Sequence, residues 1–519
     1  MNKRSVPVGM RQPLQQLVRQ LFCGLIFAGC LYPPRAAAQA TGPAQANAGQ
    51  ATQAPAQKAE TGAEAAAPAA NEARGGQATN GESSADESTS GDVETIFPHT
   101  ETGRYWISGQ ANVILQGHGA FPAKYSGPNS LTDWAQTVTT HLLTLYTGYE
   151  LTPTTEVFAD IEYATGNGIG NADGLAGYVN LDAVRVVEGR PLSKAPYLAQ
   201  FMLRQIVPLT KERVDADRDE LDLAASLPPR RIEFRLGKFD LTDFFDKNTY
   251  GSDSNLQFLN WTVDSNGAYD VASNTRGYTD GAIVEYDDRS WSARFAEALM
   301  PKVANGEYLD ADVARSRAEN LELEARGKPI AHRDGKVRLL GYLNHAGMGS
   351  YREAIAEFLD GETATPEIVA TRRQGRHRYG FGLNMEQEVA DNVGVFVRLG
   401  WSDGHNETFC YTEDDRTAQA GGVAMGRAWR RNSDRAGAAF VTNGIVAAHQ
   451  EYLALGGLGF LLGDGALTYG REKIVEAFYT AHLWRGFFIS YDFQHINDPG
   501  YNQARGPVAV SALRFHTDF

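Results

Sequence analysis

Pro507-Val508-Ala509-Val510-Ser511-Ala512-Leu513-Arg514-Phe515-His516-Thr517-Asp518-Phe519 is the last stretch of the sequence and the one whose reading decides the fold. Leu513, Phe515, Thr517 and Phe519 fall on one face, and Arg514, His516 and Asp518 on the other, the period of two that a pleated strand requires. A soluble sheet would cover the ring-bearing face with a second layer. A strand of about 10 residues can also set that face against lipid, provided the sheet closes on itself and leaves no edge.

Composition favours the closed sheet. The 519 residues include 54 glycines, 22 tyrosines and 24 phenylalanines, yet mean hydropathy is only −0.36. That combination suits a barrel with a wet lumen, in which lipid-facing and lumen-facing residues alternate. All-β barrels run long as single units, so the length does not force a division into two or three ordinary domains. The formal charge of −15 argues against nucleic acid as a partner.

Residues 1–40 read as an export signal. Lys3, Arg4, Arg11 and Arg19 precede an apolar run from Leu21 to Leu31, and Ala38-Gln39-Ala40 is a small-residue cleavage site. The rival reading is a lipoprotein signal ending at Ala28-Gly29-Cys30, with Phe27 a poor fit where leucine is usual. These 40 residues carry five basic and no acidic side chains, so their removal leaves a charge of about −20. Cys23 and Cys30 lie in the leader, so Cys410 is left alone and no disulfide framework is expected. Residues 41–100 read as a disordered tether. From Thr41 to about Asp92 the segment is Ala, Gly, Gln, Pro, Ser, Thr and Glu, with too little apolar surface to offset the entropy of ordering.

Residues 101–519 read as the barrel. Tyr105, Ile107, Gly109, Ala111, Val113 and Leu115 alternate with Trp106, Ser108, Gln110 and Asn112. His141 to Leu151 turns at Thr152-Pro153 and returns through Val157, Ala159, Ile161 and Tyr163, with Glu156, Asp160 and Glu162 opposite. Three carboxylates on one face of a strand cannot point into a dry core, so that face borders water. The same alternation recurs from Ile232 to Leu236, Arg378 to Glu386 and Val393 to Trp401, with Ala390-Asp391-Asn392 between the last two. Further pairs flank Asp287-Asp288-Arg289 and Arg485-Gly486. The expected fold is all-β: an antiparallel transmembrane barrel of the outer-membrane type, about 16 strands, with short periplasmic turns and long loops carrying small helices.

Long irregular segments separate the strand pairs: Gly166 to Pro196, Val207 to Pro229, Lys302 to Asp334, Gly349 to Gln374 and Asn406 to Arg431. Ala311 to Arg326 and Tyr351 to Leu359 have the Ala, Glu and Leu content of short helices. The acidic run Asp215 to Asp222 lacks the spaced Asp/Asn and glycine of a calcium loop and reads as a solvated loop. Glycines 456 to 465 suit tight turns or close backbone packing rather than phosphate, since no lysine follows in Walker spacing.

Several blocks carry a resemblance. Gly237-Lys238-Phe239-Asp240-Leu241-Thr242-Asp243-Phe244-Phe245-Asp246 followed by Gln257-Phe258-Leu259-Asn260-Trp261, then Met348-Gly349-Ser350-Tyr351-Arg352, resemble the carbohydrate-selective porin (OprB-type) family. So do Tyr452-Leu453-Ala454, the run Gly456 to Gly465, and Asn497-Asp498-Pro499-Gly500-Tyr501-Asn502 leading to Arg505-Gly506-Pro507. The resemblance extends from about Gly103 to Phe519 and implies a 16-stranded outer-membrane barrel through which sugars and other small solutes diffuse into the periplasm. The tether lies outside it.

A channel for polyols needs aromatic faces for the apolar side of a pyranose and polar groups that replace its hydroxyl hydration. Alternation nominates Glu156, Asp160, Glu162, Glu233, Arg235, Arg338, Arg378, Glu386, Arg398, Asp492, Gln494 and Arg514 as lumen groups. The block from Gly237 to Trp261 adds Lys238, Phe239, Asp240 and Trp261, and reads either as an inward fold or as a loop that only packs. Both signs of charge occur among these candidates, which argues against a strongly ion-selective ring. Phe519 is the candidate signal for the outer-membrane barrel assembly machinery. No cofactor or metal is expected; the expected partners are small-molecule sugars and outer-membrane lipid, in a Gram-negative bacterium. The competing functions are a general or anion-tolerant pore and a barrel hydrolase; the scattered histidines show no metal spacing, and no Gly-x-Ser-x-Gly elbow occurs. A soluble secreted β-sandwich is a third reading, disfavoured by the ring-rich terminal strand.

Overall fold

The computed structural model describes residues 95–99, 103–183 and 192–519. The leader and nearly all of the tether lie outside the described residues.

The strands are β1 (Tyr105–His118), β2 (Gln136–Thr152), β3 (Thr155–Gly166), β4 (Tyr197–Pro208), β5 (Val214–Asp215), β6 (Ser226–Leu227), β7 (Arg231–Phe239), β8 (Thr279–Asp288) and β9 (Trp291–Ala298). They continue as β10 (Arg317–Ile330), β11 (Arg333–Met348), β12 (Arg373–Ala390), β13 (Val393–Ser402), β14 (Arg416–Met425), β15 (Arg435–Gly444), β16 (Glu472–Trp484), β17 (Phe487–Asn497) and β18 (Val508–Asp518). All but β5 and β6 close into one barrel, in the order β1-β18-β17-β16-β15-β14-β13-β12-β11-β10-β9-β8-β7-β4-β3-β2. This is a closed sixteen-strand antiparallel barrel. The seam is β1 on β18, from Gln110 opposite Asp518 to His118 opposite Val510.

The wall is inside out relative to a soluble sheet. Ile107 is 61 % exposed and Phe515 49 %, whereas Asn112 is 1 % and Arg514 0 % exposed. Apolar side chains on the outer face meet lipid and polar ones fill the interior, the arrangement that a membrane demands of a barrel. Outer rings gather near strand ends: Tyr105 faces Tyr149, Trp484 stacks on Phe487, and Phe381 stacks on Trp401. Among the described residues no helix is long and apolar enough to cross a membrane.

Three expectations fail, each for a physical reason. Ala311 to Arg326 is not a helix, because Arg317–Ile330 is strand β10. Its Ala, Glu and Leu content suits a helix, but Leu321 and Leu323 point outward while Asn320, Glu322 and Glu324 point inward, and interior arginines reward that period of two. Asn406 to Arg431 likewise contains β14, whose Ala420-Gly421-Gly422 stretch carries no hydrophobic alternation to betray it. Val207 to Pro229 does not join the long loops at the mouth. β4 runs on to Pro208, and the segment that follows, with its β5–β6 hairpin, lies at the same end of the barrel as the turns after Thr152, Asp288, Ile330, Ala390 and Trp484. Its acidic run is a solvated loop only in part: Asp215, Asp217 and Asp219 are exposed, whereas Asp222 reaches the buried Arg204 and Glu220 enters the barrel interior. Tyr351–Leu359 is the helix expected, and Ala447–Ala454 forms a second one beside it.

The segment 240–278 folds inward. It leaves β7 through a short 3-10 turn, Leu241–Asp243, with the Asp240 carboxylate accepting from Thr242 N at 2.9 Å. A single helical turn follows at Trp261–Asp264, capped by Asn260, which accepts from Thr262 N at 3.0 Å. Wall carboxyl and guanidinium groups hold this loop by hydrogen bonds to its backbone. Glu322 accepts from Asp246 N (2.7 Å), Glu386 from Thr249 N (2.8 Å) and Glu476 from Leu259 N (2.6 Å). Arg398 donates to Val263 O (3.0 Å) and Arg514 to Gln257 O (2.9 Å). Phe239, Phe244 and Phe245 pack one side of the loop, and Phe258 meets Phe396 and Phe478 on the other. At Gly459 a Cβ would collide with the Glu413 carboxylate, which accepts from Phe460 N and Leu462 N at 2.9 Å each; close packing explains this glycine.

Candidate functional site

Five of the charges that alternation nominates, Glu156, Glu233, Arg235, Arg338 and Glu386, are committed to ion pairs along the inner wall. Arg204 on β4 bonds Glu156 on β3 (2.9 Å), Glu233 on β7 (2.8 Å) and Asp222 (2.5 Å). Arg235 continues the chain from Glu233 (2.6 Å) to Glu285 on β8 (3.6 Å), and Arg294 on β9 joins Glu285 to Glu322, each at 2.9 Å. Arg338 on β11 then links Glu324 (2.6 Å) to Glu386 on β12 (3.1 Å). The result is a belt of alternating charge along the inner wall from β3 to β12. Such pairs are weak stabilisers as units, but losing one partner strands a buried charge at a cost of about 3–5 kcal/mol.

The remaining candidates divide by position. Arg378 is fully buried and binds Asp415 (2.5 Å), Ser402 Oγ (2.6 Å) and Asn406 O (3.0 Å), fixing the loop after β13. Arg398 and Arg514 hold the inward loop, and Gln494 Nε2 donates to Asp492 (3.0 Å) and to Val179 O (3.0 Å). Phe239 packs edge-on against Phe244 in the interior core. Lys238 shares the outward strand position of Phe234 and Leu236, and its Nζ donates to Leu198 O at 2.5 Å; it does not reach the lumen. Phe519 extends the β18 seam along β1.

A cavity of about 500 Å³ lies between the inward loop and the walls of β1 to β4, within the ~300–1,000 Å³ range of small-molecule sites. Of the sequence-derived candidates, Asp160, Glu162, Asp240 and Trp261 line it. Its floor includes Glu220 and Leu221 from the segment between β4 and β7. Tyr178, Trp261 and Tyr411 form a stack, with Trp261 5.7 Å and 16° from Tyr178 and 4.5 Å and 23° from Tyr411. Around it stand the carboxylates of Asp160, Glu162, Asp182, Glu220, Asp240, Asp243, Asp246, Asp253 and Asp264, against the cations Lys247 and Arg276. The balanced charge expected of the lumen is therefore not that of the cavity. The wall arginines are used in the belt and in loop anchoring, and acids remain.

Burial drives the loop carboxyls up, because a low-dielectric site disfavours the charged form. Asp243 and Asp264 rise to about 7, as does Glu220, and Asp240 and Asp182 rise to about 6. After burial, the strongest further push on Asp243 comes from Asp240. Sequence reasoning passed over Asp182, Asp264, Tyr178, Arg276, Tyr278 and Tyr411, which sit in segments without periodicity, and read Glu220 as part of a solvated acidic run. One signal could have found Asp264: it follows Trp261 by three residues, behind a capping asparagine, which puts both on one helical face. Among the described residues no group of three or more His, Cys, Asp or Glu side chains is arranged to hold a metal ion.

The model of the carbohydrate-selective porin, OprB family, matches residues 192–519. The chain belongs to this family. No curated protein matches the sequence significantly. Among solved structures, the high-pH structure of Pseudomonas putida OprB is 14 % identical over 80 % of this chain and 94 % of that chain, with a TM-score of 0.60. The low-pH structure of the same protein has 12 % identity, the same coverage of this chain, 92 % of its own and a TM-score of 0.41. The outer-membrane channel DcaP of Acinetobacter baumannii has 9 % identity, 80 % and 97 % coverage and a TM-score of 0.42. The porin is an outer-membrane channel for the diffusion of carbohydrates. Its short-turn end is accordingly the periplasmic one, and the inward loop descends from the outer mouth.

Proposed function

We propose that sugars cross this porin through the cavity beneath the inward loop, with the stacked Tyr178–Trp261–Tyr411 rings as the contact for the apolar face of a pyranose. The observation that carries this reading is the coincidence, in one cavity, of that stack with Asp160, Glu162, Asp240 and Gln200. Aromatic rings bury the flat apolar face of a pyranose, and the polar groups take over the hydroxyls' hydrogen bonds from water. Glu156, Glu233, Arg235, Arg338 and Glu386 act as wall, not as contacts, and Arg378, Arg398, Asp492 and Arg514 act as loop supports. The barrel sits in outer-membrane lipid of a Gram-negative bacterium, reached by export on the 1–40 leader and insertion by the assembly machinery that reads the Phe519 end. Residues 41–100 act as a spacer.

The test is swelling of liposomes carrying the refolded chain, comparing glucose, maltose and larger oligosaccharides with amino acids of similar size. Sugars entering faster than size-matched solutes, with the advantage lost in Trp261→Ala, supports the assignment. Entry ordered by size alone refutes sugar contact in this cavity.

A further inference from the structure

The carboxylates of the cavity outnumber its cations, and most of them have no counter-ion. Among the described residues, Asp246 is paired with Arg398 and Asp253 with Arg435; the other seven are in no ion pair. Arg276 is drawn aside over the Tyr197 ring (4.1 Å) and bonds Ser193 O (2.9 Å). An acid-rich lining inside low-dielectric walls focuses field lines and raises the local concentration and entry rate of cations by about 10–1,000-fold.

Charge alone would describe a bias without a ligand. A second observation supplies one. Trp261 and Asp264 stand on the same face of their helical turn, both line the cavity, and they are only 6 % and 8 % exposed. Yet Trp261 Nε1 and Asp264 Oδ1 have no hydrogen-bond partner, and neither has Nε2 of the buried Gln200 on the facing wall. Buried polar atoms are ordinarily satisfied, so two donors and a carboxylate oxygen left without partners on residues that line one cavity are set for a polar guest once the side chains shift to admit it. A hydroxyl can accept from Trp261 or Gln200 and donate to Asp264. An ammonium group can donate to Asp264 with the added strength of a charge-assisted bond, about twice that of a neutral one. A carboxylate or phosphate can use the two donors but must enter past Asp240, Asp243 and Glu162.

We propose that this porin discriminates among sugars by charge, admitting hexoses that carry a protonated amino group ahead of neutral ones and holding back uronic and phosphorylated sugars, with Asp264 as the ammonium contact. The proposal rests on the reading of the cavity as the sugar path. Three hexoses that differ only at C6 test it: glucose, 6-amino-6-deoxyglucose and glucuronate. Their uptake is measured into liposomes carrying the full chain at about pH 8, where an alkyl amine remains protonated. The amino sugar is expected to enter about tenfold faster than glucuronate, with glucose between them. The ratio should fall to within about twofold in Asp243→Asn/Asp264→Asn, checked for an intact barrel by heat-modifiable electrophoretic mobility. Equal uptake of the three, or an undiminished ratio in the folded double variant, overturns charge selection and leaves sugar passage standing. No uptake of any of them overturns the sugar path itself. The reversal potential of the unaltered chain in a KCl gradient needs no variant, and a channel that prefers chloride refutes the proposal.

Discussion

Gly109 and Phe519 close the barrel against each other. Gly109 N donates to Phe519 O at 2.7 Å and Phe519 N to Gly109 O at 2.9 Å, so the final residue completes the seam between β18 and β1. The Phe519 ring lies over the glycine, where a Cβ would stand 2.5 Å from Cε2. Gly109→Ala should therefore force the ring off the seam and destabilise the barrel by about 1–3 kcal/mol, the usual cost of overpacking. The check is a lower urea midpoint for loss of the fast-migrating folded band.

Arg204 faces Glu156, Glu233 and Asp222 in a part of the wall that does not line the cavity. Arg204→Met should lower stability by about 3–5 kcal/mol, because three carboxylates lose their shared cation. Sugar uptake per folded channel should stay near that of the unaltered chain. Denaturant titration combined with uptake normalised to folded protein separates the two effects.

Glu476 holds the loop just before its helical turn, accepting from Leu259 N and Asn260 N at 2.6 and 3.1 Å. Glu476→Ala removes both bonds, each worth about 0.5–1.5 kcal/mol. Single-channel recordings should show a larger and noisier conductance as the loop loosens. An unchanged conductance would mean that the other anchors suffice.

Asp243, Asp264 and Glu220 have carboxyls raised to about 7, and Asp240 and Asp182 to about 6. Groups so raised are neutral below those values and gain charge as pH rises through them. The cavity therefore becomes steadily more negative from about pH 5 to 8. The cation-to-anion permeability ratio should rise over that interval. Reversal potentials at several pH values test this, and a ratio that falls with rising pH contradicts it.

The fold was legible where one face meets lipid. Leu513 and Phe515 against Arg514 and His516 state a membrane strand, because the two solvents of a barrel wall impose opposite polarities on alternate residues. The reading failed at β10 and β14. Leu321 and Leu323 do alternate with Glu322 and Glu324, but in a composition typical of helix, and Gly421-Gly422 has no alternation to read. The cavity was legible only in part, through Asp160, Glu162, Asp240 and Trp261.

By itself the sequence determined a lipid-facing barrel and an interior rich in charge, both consequences of local period and composition. Only the tertiary structure decided which charges remain open. Glu156 and Asp160 are four residues apart on one strand face, yet the first is neutralised by Arg204 from the next strand and the second borders the cavity. That difference depends on strand register and on where a loop of 39 residues, 240–278, folds back. Both are set by contacts distant in sequence, and no local pattern encodes them.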